Sequence, residues 1–522
     1  MSDPEVIVVG SGPVGTSIAW WLCQRGHRVL VLERGPDVPY PHSPQFEARV
    51  VHQTDDPRFH AAPGLKGITT SGDYRFDLDR ERSAVVGGSG THWEGIALRM
   101  LPVDFRTQSR HGYGVDWPVD YAALEPWYGR AEDLLSISGT AADDPFGPPR
   151  SSPYPLPAFD LAADDRLLAR RLRAAGITLH TTPQARTRHP RDGRPACANY
   201  GTCAVCPIGA RYSPNHHLRQ AAQTGRLDLR PETTVRRVLP GGRGRRPAVV
   251  VRAREDRQDR ELVARAVVVA GGAIESTRLL LLSSGPGHPD GLGNASGHLG
   301  RHFALHHVWW NDLLYDELLY PGRFGGWTGQ SLQFLDAPTR GRHGALKVVF
   351  SSRAVVHELR AWGSADEVWS QLERRRRTRR LLLVGEPETG PRKRLQLSRR
   401  RDCFGDPFAH LHYELSDFDR ATFAFAREVH DRFVAATGAQ AAPLPQDPAR
   451  FGSGAHHMGG CRMSERVADG VVDPFGAVHG AAGVFVAGGA CFAGPSGAVN
   501  PTLTMVALAL RTAAYLAERV LR

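Results

Sequence analysis

An α/β fold, α+β over the whole chain, is predicted by three observations. Near the N-terminus an apolar strand, a glycine-rich turn, a helical pattern and a second apolar strand ending in an acid follow without interruption. The order strand, glycine turn, helix recurs at residues 266–282. Between about 302 and 450 the pattern changes to alternating segments that suggest a mixed or antiparallel sheet. A chain of 522 residues is too long for one ordinary domain. The expected organisation is a discontinuous nucleotide-binding unit, residues 1–300 and 452–522, with a substrate-facing domain, residues 301–451, inserted before its final strand.

Glu5-Val-Ile-Val-Val-Gly10 is a continuous apolar run, as a parallel strand buried on both faces requires. It enters Gly10-Ser-Gly-Pro-Val-Gly15 and a helical pattern over Thr16–Arg25, and Arg28-Val-Leu-Val-Leu32 then ends at Glu33 and Arg34. This is the dinucleotide fingerprint in its required context, and it predicts a Rossmann-like unit. Gly10 permits the tight turn, Gly12 lets backbone approach a pyrophosphate, and Gly15 lets helix and strand pack closely. Pro13 and Val14 open the helix whose N-terminus meets the phosphate charge. Glu33 is placed to accept from a ribose 2′-hydroxyl, which favours an unphosphorylated adenosine ribose. The fingerprint alone does not separate NAD from FAD.

Val85–Gly95 is a second glycine-rich loop, carrying Gly88, Ser89, Thr91, His92 and Trp93. Such a loop either lays backbone against a flat ring or makes a tight connection around a buried histidine, and both readings stay open. Residues 116–135 read as a helix with aromatic anchors, residues 141–158 as a Pro-rich excursion or lid, and residues 164–175 as a basic amphipathic helix. Cys197, Cys203 and Cys206, followed by His216 and His217, admit zinc, a redox dithiol or the packing of a tight loop. Without a second Cys-x-x-Cys or finger-like histidine spacing, no metal is assigned. Residues 266–270 give another buried strand, followed by the turn at Ala270 and Gly271 and a helix to Leu282. Helices are expected at 366–377 and 417–437, among strands near 343–350, 381–384 and 408–413.

The closing segment holds Gly454-Ala-His-His-Met-Gly-Gly-Cys-Arg-Met463, an apolar strand running to Gly488 and Gly489, and Asn500-Pro-Thr502 at the head of a long apolar helix. A histidine and an asparagine on loops that bracket one buried strand form a candidate catalytic pair.

Composition narrows the partners. Hydrophobic content of 41% with 23% charged residues is that of a globular protein. The net charge of +11 is carried almost wholly by arginine, since only Lys66, Lys347 and Lys393 are lysines. The one dense run, Arg374–Arg380, reads as a solvated helix face. Nothing interleaves aromatic with basic residues, so nucleic acid is not an expected partner. The N-terminus shows no signal-peptide pattern, and no stretch of about twenty apolar residues suggests a membrane span. Seven scattered cysteines make a reducing compartment, the cytoplasm, the default expectation.

Together these motifs resemble the glucose-methanol-choline (GMC) family of FAD-dependent oxidoreductases, with matches along nearly the whole chain. They are the fingerprint with Glu33, the Gly87–Gly95 loop, residues 270–282, and His456 with Asn500-Pro-Thr. Gly-Thr-His-Trp, and Gly488 where many members carry Asp, resemble the pyranose-oxidase and glycoside 3-oxidase branch. The family pattern His-Pro-Leu-Gly-Thr-Cys-Arg-Met, laid backwards from Arg462 and Met463, places its histidine on His456 and its proline on His457. The resemblance implies FAD as cofactor, His456 as general base and Asn500 as its partner. It also implies a sugar or glycoside substrate oxidised at ring carbon 2 or 3, with electrons passing to O₂ or another acceptor. In pyranose-oxidase-like proteins the histidine at the place of His92 is attached covalently to flavin, and here covalent and non-covalent binding both remain open. Gln333 is named as a possible sugar contact. Three rivals stand beside this reading: a dehydrogenase with a quinone or protein acceptor, a flavin disulfide reductase using Cys203 and Cys206, and a flavoprotein scaffold binding acidic partners through Arg374–Arg380.

Overall fold

The computed structural model describes residues 3–42, 47–48, 67–74, 77–199, 203–242, 244–256, 258–319, 326–351 and 364–522. Lys66 and Tyr200–Thr202 of the cysteine loop lie outside them. No helix among the described residues is long and apolar enough to cross a membrane.

Five parallel strands form the first sheet, in the order Val484–Val486, Ala266–Val269, Val6–Val9, Val29–Leu32, Leu227–Arg230. The continuous apolar runs are explained by burial on both faces. Val6, Val8, Val29, Val31 and Val268 pack on Ile18, Leu22 and Ala513, from the helices Pro13–Cys23 and Thr502–Tyr515. Ile7, Leu30, Val267 and Val269 face the opposite core, with Leu279 and Leu280 of the helix Gly272–Leu282 and with Val238 and Val249 of a three-stranded antiparallel layer.

The second sheet is antiparallel throughout, in the order Gly452–Ser453, His307–Leu314, Thr378–Gly385, Leu346–Ser351, Trp327–Ser331, His180–Thr181. One face carries Leu346, Val348, Phe350, Leu381 and Leu383 against Phe423, Ala426 and Phe433 of the helix Asp417–Thr437. The other face turns Val308, Lys347, Val349, Leu382 and Val384 toward a cavity. Two strands from early in the chain join the later part: His180–Thr181 closes this sheet, and Ile68–Gly72 runs parallel to Pro407–Tyr413 in a third.

Four expectations change. The helix expected from residue 116 starts at Tyr121, because Asp120 caps it by accepting from the Ala123 N–H at 2.8 Å. The basic run is not one helix face. Arg374–Arg376 end the helix Ala365–Arg376, whereas Arg379 and Arg380 belong to the next strand. Strand alternation turns Arg379 inward, fully buried and paired with Asp164 at 2.6 Å and with Asp165, while Arg380 faces Asp312 at 2.8 Å. The Pro-rich excursion lines no part of the cavity. Its Arg150 and Ser151 bond Glu132 and Glu125 of the helix Tyr121–Leu135. Gln333 is likewise away from the cavity, spent on the backbone of Gly176 and Thr178 at 3.1 Å.

A buried ionic cluster ties the second sheet to residues 104–113. Arg340 donates to Asp104 at 2.7 Å and to Glu386 at 3.1 Å, and Glu386 also accepts from Tyr113 and from the Ala345 N–H, both at 2.8 Å. All three charged side chains are fully buried or nearly so. Arg340→Met leaves two carboxylates buried without their cation. A loss of about 3–5 kcal/mol is expected, read as a lower denaturant midpoint at unchanged slope.

Candidate functional site

A cavity of about 670 Å³ lies between the carboxyl ends of the parallel strands and the inner face of the antiparallel sheet. Such a crevice is where open parallel sheets place ligands. Four strands deliver their ends to it: Gly10 after Val9, Glu33 and Arg34 after Leu32, Ala270 and Gly271 after Val269, and Gly488 and Gly489 after Val486. Pro13, Val14, Gly88, Ser89, His92, Trp93, Asn500 and Thr502 also line it. Gly15 and Thr91 stand behind the wall. A Cβ on Gly15 would fall 2.0 Å from the Gly10 oxygen, and Thr91 Oγ1 donates to the Gly88 carbonyl at 2.8 Å.

The nucleotide half fits a dinucleotide. The helix Pro13–Cys23 starts at Gly12 with no side-chain cap, and a Cβ on Gly12 would meet nothing within 4 Å. Open N–H groups at a helix N-terminus suit a pyrophosphate. Gly10 has φ +101°, a conformation in which a side chain would be strained. Glu33 accepts from Ser11 Oγ at 2.7 Å and from the N–H groups of Ser11 and Gly35 at 3.0 Å. A carboxylate has about four acceptor sites, so capacity for a ribose hydroxyl remains. Ser11 Oγ also receives the Gly87 N–H at 3.0 Å, joining the two glycine loops. Nearby, Glu275 is flanked by Arg34, Arg82 and Arg278 at 3.1, 2.7 and 3.3 Å. Burial would raise its carboxyl pKa, but the three guanidinium groups overcome this and hold it far below the usual range.

At the other end the structure brings His456 and Asn500 together and adds two residues that sequence reasoning missed. Asn500 Nδ2 lies 2.9 Å from His456 Nε2, His456 Nδ1 lies 2.9 Å from His306 Nδ1, and His306 Nε2 lies 2.8 Å from the Gly497 carbonyl. Lys347 Nζ donates to Asn500 Oδ1. A carbonyl only accepts, so His306 Nε2 carries a proton. Burial first, then the charge of Lys347, pushes His306 down to about 3, so its ring is neutral and Nδ1 is an acceptor. His456 must then hold its proton on Nδ1, which leaves a lone pair on Nε2. Burial first, then unfavourable interaction of a second positive charge with the neighbouring His306, Lys347 and His457, keeps the His456 pKa well below 6.5. The result is a neutral imidazole on the cavity wall whose unprotonated Nε2 accepts from Asn500 Nδ2.

His457 also lines the cavity, but its Nε2 is 3.0 Å from Glu81, which accepts from Ser453 Oγ at 2.7 Å. Lys347 left one signal in the sequence, as the only charge within the apolar strand Leu346–Ser351. His306 left none, because its partners are remote in the chain.

The cysteine loop stands apart. Cys203 and Cys206 do not line the cavity, and burial pushes the Cys203 thiol up to about 11, against a reactive thiolate. Asp192 lies 2.9 Å from His216 Nε2 and 3.4 Å from His217 Nε2, and it accepts from Gln220 at 2.7 Å.

A family model described as FAD dependent oxidoreductase matches residues 5–290, and one described as GMC oxidoreductase matches residues 390–509. The chain is 28% identical to the large subunit of a fructose dehydrogenase from Gluconobacter japonicus, over 98% of this chain and 97% of that one. It is 31% identical to 6'''-hydroxyparomomycin C oxidase of Streptomyces lividus, over 99% and 92%. The structure of an Aspergillus oryzae formate oxidase superposes with a TM-score of 0.68 at 14% identity, covering 100% of this chain and 99% of that one. Gly12→Val fills the open space beside the helix N-terminus. It is expected to lose most flavin absorbance per chain while circular dichroism is unchanged.

Proposed function

Because the chain belongs to the GMC family of FAD-dependent oxidoreductases acting on CH–OH groups, we propose that it oxidises a secondary hydroxyl of a sugar or glycoside, at ring carbon 2 or 3, to the ketone. The observation that carries this reading is the contact of His456 Nε2 with the Asn500 amide at 2.9 Å on the cavity wall, which makes that nitrogen an acceptor. The branch resemblance of Gly-Thr-His-Trp and Gly488 supports the ring position. We take residues 1–300 and 452–522 as the FAD unit and 301–451 as the substrate unit.

In this mechanism the substrate hydroxyl enters between His456 and Asn500. His456 Nε2 accepts its proton, a step that typically contributes about 10²–10⁴-fold. Asn500 Nδ2 donates to the same oxygen, exchanging its bond to His456 for one to substrate, and so orients the carbinol. His306 keeps the His456 proton on Nδ1 throughout. Bound FAD supplies the acceptor for the hydride that leaves the carbinol carbon. Trp93, fixed by its Nε1 bond to the Tyr212 carbonyl at 2.8 Å, and Trp327 offer aromatic surface on the cavity wall for the C–H faces of a sugar ring. FAD would be held by the fingerprint, by Glu33 and by the Gly88–Trp93 loop, and His92, on the cavity wall, is the residue through which a covalent link would form. Electrons would then pass to O₂, as the name of the 6'''-hydroxyparomomycin C oxidase relative suggests, or to another acceptor, as that of the fructose dehydrogenase relative does.

Anaerobic mixing with a panel of sugars and glycosides tests the proposal. At least one should bleach the flavin, and His456→Ala should slow that bleaching by roughly a hundredfold or more with FAD still bound. Bleaching at a near-normal rate would remove His456 from the role of base. Since its pKa is held well below 6.5, the acid limb of kcat/KM should lie below pH 6.5, and a limb above that pH would contradict the assignment. Peroxide release against dye reduction separates oxidase from dehydrogenase, and acid precipitation shows whether flavin stays on His92.

A further inference from the structure

We propose that Lys347 is a positioning residue of this active site: its Nζ holds Asn500 Oδ1, so that the amide presents Nδ2 to the reacting oxygen. The inference rests on the reading of His456 and Asn500 above.

Lys347 and Lys393 are both buried, but in different company. Lys393 donates to Asp419 at 2.5 Å and to the Glu388 carbonyl at 2.8 Å, and its charge is matched. Lys347 has no carboxylate in ion-pair distance among the described residues; its polar partner is Asn500. It occupies a position where the sheet otherwise shows the cavity Val308, Val349, Leu382 and Val384. Burial alone brings its pKa down to about 7. An ammonium in an apolar wall without a counter-ion is destabilising, and an apolar side chain there would fold better. Stability therefore does not explain the residue.

Its contact with Asn500 does. An asparagine amide can turn either end toward a neighbour. Turned the wrong way, Oδ1 would face the lone pair of His456 Nε2, acceptor against acceptor, and would compete for the substrate hydroxyl proton. An amine on Oδ1 leaves one orientation, with Nδ2 toward His456. When charged it also polarises the amide, strengthening the N–H that meets the developing alkoxide.

The test is a double-mutant cycle on the FAD-loaded enzyme with Lys347→Met, Asn500→Ala and both together. Lys347→Met should slow anaerobic flavin reduction at least about tenfold while shifting the substrate dissociation constant less. FAD content should hold, and Tm should be equal or higher. In the Asn500→Ala background the same change should alter the rate less than about twofold. A near-native rate, equal losses in both backgrounds, or a rate loss matched by lost FAD and lower Tm would each overturn the proposal. Lys347→Gln carries the same cycle with the same criteria if the Met variant does not fold. His456→Ala separates the two levels. If it stays active, the underlying base assignment fails; if it is inactive while the cycle is additive, only the role of Lys347 fails.

Discussion

The hydrogen bond from His306 Nε2 to the Gly497 carbonyl, 2.8 Å long, sets the chemistry of the site. It fixes one proton, and each neighbouring proton follows from it until the lone pair of His456 faces the cavity. The carbonyl belongs to a glycine packed closely against Asp104. Gly497 has φ +58°, and a Cβ there would lie 2.8 Å from Asp104 Oδ1. Asp104 is clamped by Arg340, which is clamped by Glu386. The ionic cluster thus sits directly beneath the loop that carries both the Gly497 carbonyl and Asn500. A cluster of this kind adds little net stability over a well-packed apolar one, but it permits only one arrangement of its members.

Each sheet supplies what the other lacks. The parallel sheet ends in glycine turns and an open helix N-terminus, which suit phosphate and ribose but offer no base. The antiparallel sheet offers an apolar wall with one amine, and His306 sits just before its strand His307–Leu314. His456 and Asn500 arrive from the closing segment, between the two. The cavity is therefore a property of the whole chain, and the segments His180–Thr181 and Ile68–Gly72 tie early residues into the later sheets.

The nucleotide half was legible in the sequence because its constraints are local and steric. Close packing at Gly15, the turn at Gly10 and the acid at Glu33 leave a spacing that can be read without knowing the fold. His456 was chosen over His457 by the family pattern laid backwards from Arg462 and Met463, which is also resemblance, and the structure places both histidines on the cavity. Asn500 was legible only by resemblance, and the structure adds the contact at 2.9 Å. His306 was hidden because its partners are 150 and 191 residues away, and Lys347 showed only as a charge in an apolar run, its partner lying 153 residues on. Arg379 was misread for a related reason. Within a run of arginines, helical and strand spacing are indistinguishable until the strand partner is known, and burial against Asp164 and Asp165 depends on that partner. Composition alone suggested Gln333 as a possible sugar contact and residues 141–158 as an excursion or lid, whereas the hydrogen bonds of Gln333, Arg150 and Ser151 go elsewhere.

The most direct measurement is of the imidazole protons themselves. Nitrogen-15 NMR of the histidine-labelled, FAD-loaded enzyme, assigned with His456 and His306 variants, reports which ring nitrogen carries hydrogen near neutral pH. His456 should be neutral, with its proton on Nδ1 and a bare Nε2, and His306 neutral with its proton on Nε2. A His456 protonated on Nε2 or on both nitrogens would contradict the assignment of His456 as the base.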